Sequence, residues 1–147
     1  MVVDIENVIE VDNIIKNFSI GGGLFTALNG MSIIIKKGEF SGLVGPSGSG
    51  KTTLLNIIGG LDSPTSGKVK VLDKMINETS HDERALIRKK YMGFIFQSYN
   101  LLPVYSVYEN VELPLILNKI EKNKRRDKVF NAIESEGLMD KIHSKPN

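Results

Sequence analysis

Cysteine is absent from this sequence of 147 residues, and histidine occurs only twice. Without cysteine the chain can form no disulfide, hold no metal through thiolates and use no cysteine nucleophile. The two histidines, His81 and His143, belong to no cluster with the spacing of metal ligands, which argues against a zinc enzyme. We expect both histidines to lie on the surface.

A dominant charge of one sign is also missing. The 19 lysine and arginine residues exceed the 17 aspartate and glutamate residues by two, which gives a net charge of +2. Because affinity for nucleic-acid phosphates needs a concentrated basic face, we expect no nucleic-acid partner. A basic run does occur at residues 119–128, where a solvated loop and helix start is favoured over a contact with anionic lipid.

Long apolar runs are missing as well. No stretch approaches the roughly 18–20 consecutive apolar residues that a membrane-spanning helix needs. Residues 1–12 are acidic and lack the apolar core of a signal peptide. We therefore expect the chain to stay in the cytoplasm and to meet a membrane only through a partner.

The remaining composition, 41% hydrophobic and 24% charged, is typical of a soluble globular domain, and the length is that of one domain. Alternating or apolar runs predict strands, with a turn at the glycines of 21–23. The first two strands indicate a small antiparallel sheet, and the run at 40–44 is apolar enough to be buried on both faces. The predicted strands are residues 9–12, 31–35, 40–44, 68–72 and 91–96.

Four helices are predicted from spacing and capping. Leucines and isoleucines at helical spacing give one at residues 54–58, which ends at a pair of glycines. Capping boxes at 80–83 and 106–109 start two more, which run to about Lys90 and to Leu117. A last helix spans 125–136, with Gly137 at its C-terminal cap. This order of elements predicts an α/β core with a small sheet in front.

One motif is specific. Residues 45–52 match the pattern G-x-x-x-x-G-K-[ST] in full, between a predicted buried strand and an apolar helix. Backbone N–H groups of such a loop curl around phosphates, and the following helix adds unpaired N–H donors and the positive end of its dipole. Lys51 then meets the β- and γ-phosphates, and the Thr52 hydroxyl is a ligand for Mg²⁺. We predict nucleotide binding, which kinases, GTPases and transport ATPases share.

The residues around this motif resemble the ATP-binding subunits of ABC transporters. The resemblance is carried by residues 45–56, by 61–67 and by Gly-Phe-Ile-Phe-Gln at 93–97, and it covers about residues 9–147. The segment from 99 to 115 is similar to the branch of lipoprotein-release and macrolide-export ATPases. The resemblance implies a P-loop NTPase (RecA-like) α/β core with an N-terminal antiparallel β subdomain and the start of a helical subdomain, incomplete. Residues 1–147 would be the N-terminal portion of a nucleotide-binding domain.

The resemblance also implies site residues for ATP and Mg²⁺. Phe18 is similar in position to the family's adenine-stacking aromatic residue, more often tyrosine; packing under the sheet is the alternative. Gln97 resembles the Q-loop glutamine, which completes the Mg²⁺ shell and senses the γ-phosphate; an ordinary polar residue at a strand end is the alternative. Only Lys51 and Gln97 receive a catalytic role. The implied binding residues are Phe18, Gly45, Pro46, Ser47, Gly48, Ser49, Gly50, Lys51, Thr52, Thr53 and Gln97, with Thr52 and Gln97 on the metal.

Two partners follow from the same resemblance. In the family, the segment after the Q-loop glutamine touches the membrane-spanning subunit, so residues 99–107 are an expected partner surface. Tyr105 and Tyr108 are expected either to contact the membrane-spanning subunit or to pack within the chain. A second ATP-binding subunit completes a dimer in full-length members, at the cytoplasmic face of the cell membrane.

Several family motifs have no counterpart in the sequence. There is no Leu-Ser-Gly-Gly-Gln signature, no apolar strand ending in Asp-Glu and no switch histidine, and residues 144–147 are similar to the lead-in to the signature. We therefore expect a sequence cut before its catalytic half, which binds ATP weakly, does not hydrolyse it and leaves the strand at 40–44 with an aggregation-prone edge. Two other hypotheses stay open: a non-catalytic module that binds ATP or the membrane partner, and a cell-division ATPase of similar type.

Overall fold

Two long antiparallel strands, β1 (Asn7–Ile20) and β2 (Gly23–Lys36), begin the structure. The computed structural model describes residues 6–146. Strand β1 also pairs with β3 (Ser66–Val71), which pairs with the short β4 (Lys74–Met75), giving the antiparallel order β2-β1-β3-β4. The predicted antiparallel sheet is confirmed, and the predicted strands at 9–12, 31–35 and 68–72 lie within or overlap β1, β2 and β3.

Helix α1 (Lys51–Ile58) packs its apolar face on this sheet. Leu54 and Ile57 are fully buried in one cluster with Ile14 and Val69 from the strands. A 3₁₀ turn (Ile76–Glu78) and helix α2 (His81–Tyr91) follow. The described residues up to Gly93 form one compact unit, whose core therefore anchors the start of α1.

The described residues from Phe94 onward form a second unit. Helix α3 (Val107–Leu117) runs through Pro114, and α4 (Lys122–Ser135) is followed by a 3₁₀ turn (Met139–Lys141). The Tyr108 and Phe130 rings meet edge to face with centroids 5.8 Å apart, so Tyr108 is a packing residue of this unit. No helix within residues 6–146 combines the length and the apolar character that crossing a bilayer requires.

Two predicted strands are absent from the described structure. Residues 40–44 form no strand, and Phe40 and Val44 are fully exposed. Residues 92–96 form no strand either, and Tyr91 belongs to α2. Both predictions were wrong, because a strand exists only where a neighbouring strand accepts its hydrogen bonds, and no described strand lies beside either segment. The expected strand edge at 40–44 is therefore not formed.

The four predicted helices are confirmed, with two changed starts. Helix α1 begins at Lys51 instead of residue 54. Helix α4 begins at Lys122 instead of residue 125, since the lysines there are good helix formers and Arg125 N–H already bonds to the Glu121 carbonyl. Its C-cap is Glu136, and Gly137 follows in the left-handed region at φ 67°.

Candidate functional site

The loop before α1 leaves that helix without a side-chain cap. Its N-cap is Gly50, and the first turn of α1 contains no acidic residue. Helices α2 and α3 differ, because a serine and a glutamate close a full capping box at each N-terminus. The first N–H groups of a helix have no acceptor within the helix. At α1 these donors therefore remain available to an anion from outside the chain.

Glycine is required at one end of the loop by close contact and positive φ together. Gly50 has φ 85°, and a Cβ built on it would lie 2.6 Å from the Ala27 carbonyl oxygen and 2.8 Å from a Leu28 methyl. Gly48 has a similar φ of 80°, but a Cβ there would meet nothing within 4 Å. The loop thus packs its last glycine on strand β2 and keeps the space at Gly48 open.

The Lys51 ammonium bends back over the loop. Its Nζ donates to the carbonyl oxygens of Gly45 at 2.8 Å and Pro46 at 2.7 Å, and to the Ser49 hydroxyl at 3.3 Å. These acceptors are neutral, and an ammonium forms stronger bonds with anionic oxygens. A cavity of about 230 Å³ beside the loop is lined by Lys51, by loop residues and by side chains of β2. Lys51 is therefore placed to exchange loop carbonyls for phosphate oxygens.

The start of α1 also offers a metal ligand. Thr52 is exposed in the first turn, and Thr53 is half-buried beside it. A hydroxyl oxygen suits Mg²⁺, which prefers oxygen ligands and keeps several waters. The donor set and the open space at Gly48 fit a phosphate chain with its magnesium ion.

Phe18 lies on β1 with 37% of its surface exposed, opposite Phe25 of β2. It therefore does not pack under the sheet as a core residue. The strand pairing relates Phe18 to the loop. Leu28 of β2, which Gly50 approaches, pairs with Lys16 of β1. Phe25, the partner of Phe18, lies three residues before Leu28 on β2. Three residues of a strand span roughly 10 Å. The Phe18 ring is thus on the same hairpin that supports the phosphate loop.

Lys16 contacts this ring and was missed by the sequence reasoning. Its Nζ lies 4.9 Å from the Phe18 ring centroid, and it donates to Asp62 Oδ1 at 2.7 Å and to the Ser63 carbonyl at 2.8 Å. Burial raises the pKa of the Asp62 carboxyl, but the hydrogen bonds from Lys16 and from the Ser63 N–H outweigh it, and the net shift is downward. The available signal was the two-residue spacing of Lys16 and Phe18, which places them on one face of a strand.

The remaining predicted residues belong to the second unit. Gln97 is exposed at a bend, and exposed apolar side chains follow it at residues 99–105. Asn110 of α3 holds the end of this segment, since its amide donates to the carbonyls of Leu102, Tyr105 and Ser106 and accepts from the Leu102 N–H. The segment therefore has a defined attachment to α3.

The histidines and most of the basic run lie at the surface as predicted, but Arg125 of that run is mostly buried. Arg125 donates to Glu112 at 2.9 Å in a pair whose side chains are mostly buried, and Lys124 pairs with Glu121 at the surface. His81 is exposed at the first residue of α2, and His143 is exposed near the C-terminal 3₁₀ turn. The arginine thus joins α3 to α4.

Sequence comparison places the chain among known ATP-binding proteins. The family profile described as "ABC transporter" matches residues 28–147. The chain is 41% identical over 136 residues to the uncharacterized ABC transporter ATP-binding protein YvrO of Bacillus subtilis, an alignment that covers 92% of this chain and 59% of YvrO. It is 39% identical to the macrolide export ATP-binding/permease protein MacB of Hyphomonas neptunium, with coverage of 94% and 21%.

Structural comparison gives a further ATP-binding cassette. The cassette MJ0796 of Methanocaldococcus jannaschii, in a dimeric post-hydrolysis structure bound to ADP and Pi, superposes with a TM-score of 0.86 at 38% identity. The superposition covers 95% of this chain and 62% of that one. The chain spans about 60% of the length of the first curated relatives it matches.

Proposed function

The chain belongs to the ABC transporter family and has, in part, the α/β fold of its P-loop ATPase cassettes, and we propose that residues 45–53 bind the phosphates of ATP. The observation that carries this proposal is the uncapped N-terminus of α1, preceded by a glycine loop over which the Lys51 ammonium is folded. Backbone N–H groups of the glycine loop and of the first turn of α1 surround the phosphate chain, and Lys51 supplies a point charge at the β- and γ-phosphates.

Thr52 is the proposed ligand of magnesium, and Gln97 of the second unit stays a prediction from the family resemblance. A magnesium ion held there would offset part of the phosphate charge. The exposed Thr52 hydroxyl is a neutral oxygen donor, which suits an ion whose charge the phosphates already balance. The exposed ring of Phe18 stacks on adenine, a contact of about 1–3 kcal/mol by analogy with bases stacked on aromatic side chains.

In the whole protein, we infer that ATP binding and hydrolysis energise transport through a membrane-spanning partner at the cytoplasmic face, with a second ATP-binding subunit. The similarity to MacB, named as an ATP-binding/permease protein, and to the dimeric MJ0796 cassette supports this inference. Residues 1–147 contain no Leu-Ser-Gly-Gly-Gln and no apolar strand ending in Asp-Glu. We expect this chain to bind ATP weakly and not to hydrolyse it.

Calorimetric titration with MgATP and with magnesium tripolyphosphate tests the phosphate site. We expect Lys51→Ala to weaken both ligands by at least about tenfold, the effect of losing a hydrogen bond to a charged group. Lys68→Ala removes one positive charge from an exposed position on β3 and is the matched control. Equal affinities for the Lys51 and Lys68 variants would refute the proposed site. Phosphate release that Lys51→Ala abolishes would refute the absence of hydrolysis.

A further inference from the structure

Lys16 is held in one position by two fixed acceptors. Its side chain is only 13% exposed, although it lies on a strand near the end of a hairpin. Of the three ammonium hydrogens, one is donated to Asp62 Oδ1 and one to the Ser63 carbonyl. The third remains for the face of the Phe18 ring, whose centroid is 4.9 Å from Nζ. This cation–π contact therefore has a defined geometry.

The acceptors are themselves anchored to the helices. The N–H groups of Leu61 and Asp62 donate to the Asn56 carbonyl at the end of α1. Arg84 of α2, which is buried, donates to the Ser63 hydroxyl at 2.6 Å. The position of the Lys16 ammonium is thus set by the same helix whose first turn carries the phosphate loop.

A cation on one face of an aromatic ring changes which groups bind favourably to the opposite face. The π-electrons of Phe18 are drawn toward the ammonium, which leaves the opposite face less negative and a better partner for an electron-rich aromatic ring. The lysine also fixes the tilt of the ring, so less side-chain freedom is lost when a base stacks on it. The part of Phe18 that stays exposed is then available to the base.

We propose that Lys16, fixed by Asp62 and Ser63, is a positioning residue that orients and polarises Phe18 for a purine base. This inference rests on the proposed function, because it assumes that Phe18 stacks on the nucleotide. It assigns to the chain a base-binding unit of ring and cation, separate from the phosphate loop. Lys16 touches no phosphate in this proposal and acts only through the ring.

The test measures the ratio of the MgATP affinity to the magnesium tripolyphosphate affinity, by calorimetry on the full chain. Tripolyphosphate probes the phosphate loop alone, so this ratio isolates the contribution of the nucleoside. We expect Lys16→Met, which keeps the apolar stem, to lower the ratio about two- to fivefold and to leave tripolyphosphate binding unchanged. Lys16→Arg keeps the cation and should have the same ratio as the unaltered chain. Phe18→Ala should lower the ratio further than Lys16→Met.

Three outcomes decide between the possibilities. A reduced ratio for Lys16→Met together with an unchanged ratio for Lys16→Arg supports the proposal. An unchanged ratio in Lys16→Met together with a reduced one in Phe18→Ala overturns it and leaves the stacking in place. An unchanged ratio in Phe18→Ala overturns the stacking and this inference together, while tripolyphosphate binding still reports on the phosphate loop. If Lys16→Met does not fold, Asp62→Asn weakens the anchor and leaves the lysine in place, and the same reduction is expected.

Discussion

Replacing Gly50 or Gly48 by alanine separates backbone strain from steric contact within one loop. The two glycines have nearly equal positive φ, 85° and 80°, so alanine meets the same left-handed penalty at both positions. Only at Gly50 would the new methyl lie 2.6 Å from a backbone oxygen, that of Ala27. Because this oxygen is a backbone atom of strand β2, it moves aside less easily than the end of a flexible side chain would.

The expected magnitudes follow from these two contributions. Left-handed strain costs each variant about 1–2 kcal/mol of unfolding free energy. The contact with β2 adds about 1–3 kcal/mol for Gly50→Ala alone, the usual cost of forcing extra volume into a packed region. For a unit of this size, each kcal/mol lowers the melting temperature by about 4–8 °C.

Urea and thermal unfolding without nucleotide measure the difference, with far-ultraviolet circular dichroism as the probe. We expect Gly50→Ala to melt at least about 4 °C below Gly48→Ala, the shift that corresponds to about 1 kcal/mol. Both variants lose stability relative to the unaltered chain. Equal melting points for the two variants would mean that the loop does not rest on β2, and would refute the packing described for Gly50.

Two further predictions concern the capping boxes and the segment before α3. Hydrogen bonds from their serine partners hold the pKa of Glu83 and Glu109 below the ordinary value of 4.5. These two carboxylates therefore stabilise the fold above pH 4.5, and this stabilisation is lost as the pH falls through their lowered pKa. The double variant Glu83→Gln/Glu109→Gln should therefore unfold at lower urea than the unaltered chain at pH 7, and the gap should close as the pH falls through the lowered pKa of the two carboxyls. A gap that persists below that pKa would contradict this. Asn110→Ala should accelerate hydrogen exchange of the Leu102 amide, because that amide donates to the Asn110 side chain. Asn118→Ala is the control and should leave this exchange unchanged, because the Asn118 side chain donates to the Pro114 carbonyl at the other end of α3.

Local sequence signals predicted the starts of α2 and α3 well. At Ser80 and Ser106 every participant in the capping box lies within four residues, so the pattern contains the whole interaction. The glycine loop is equally local, and its φ values and the uncapped start of α1 agree with the motif. Structure that depends only on interactions within a short segment could therefore be predicted from the sequence.

Partners distant in the chain were not predictable in the same way. The apolar run at 40–44 predicted a buried strand, but the segment is exposed, because strand formation and burial need a neighbour that no local pattern specifies. Lys16 was overlooked for the same reason, since its ion pair with Asp62 joins residues 46 apart. Only the folded hairpin brings this lysine, its carboxylate and the Phe18 ring together.

The turn between β1 and β2 has a practical consequence for labelling. Gly21 and Gly22 both have positive φ, as in a two-residue hairpin turn of type I′, and a Cβ on either would meet nothing within 4 Å. An inserted residue or a dye attached there would displace no packed atom, and lengthening an exposed turn costs little in loop entropy. Because Phe18 lies two residues before the end of β1, such a dye would report on the hairpin tip from close by.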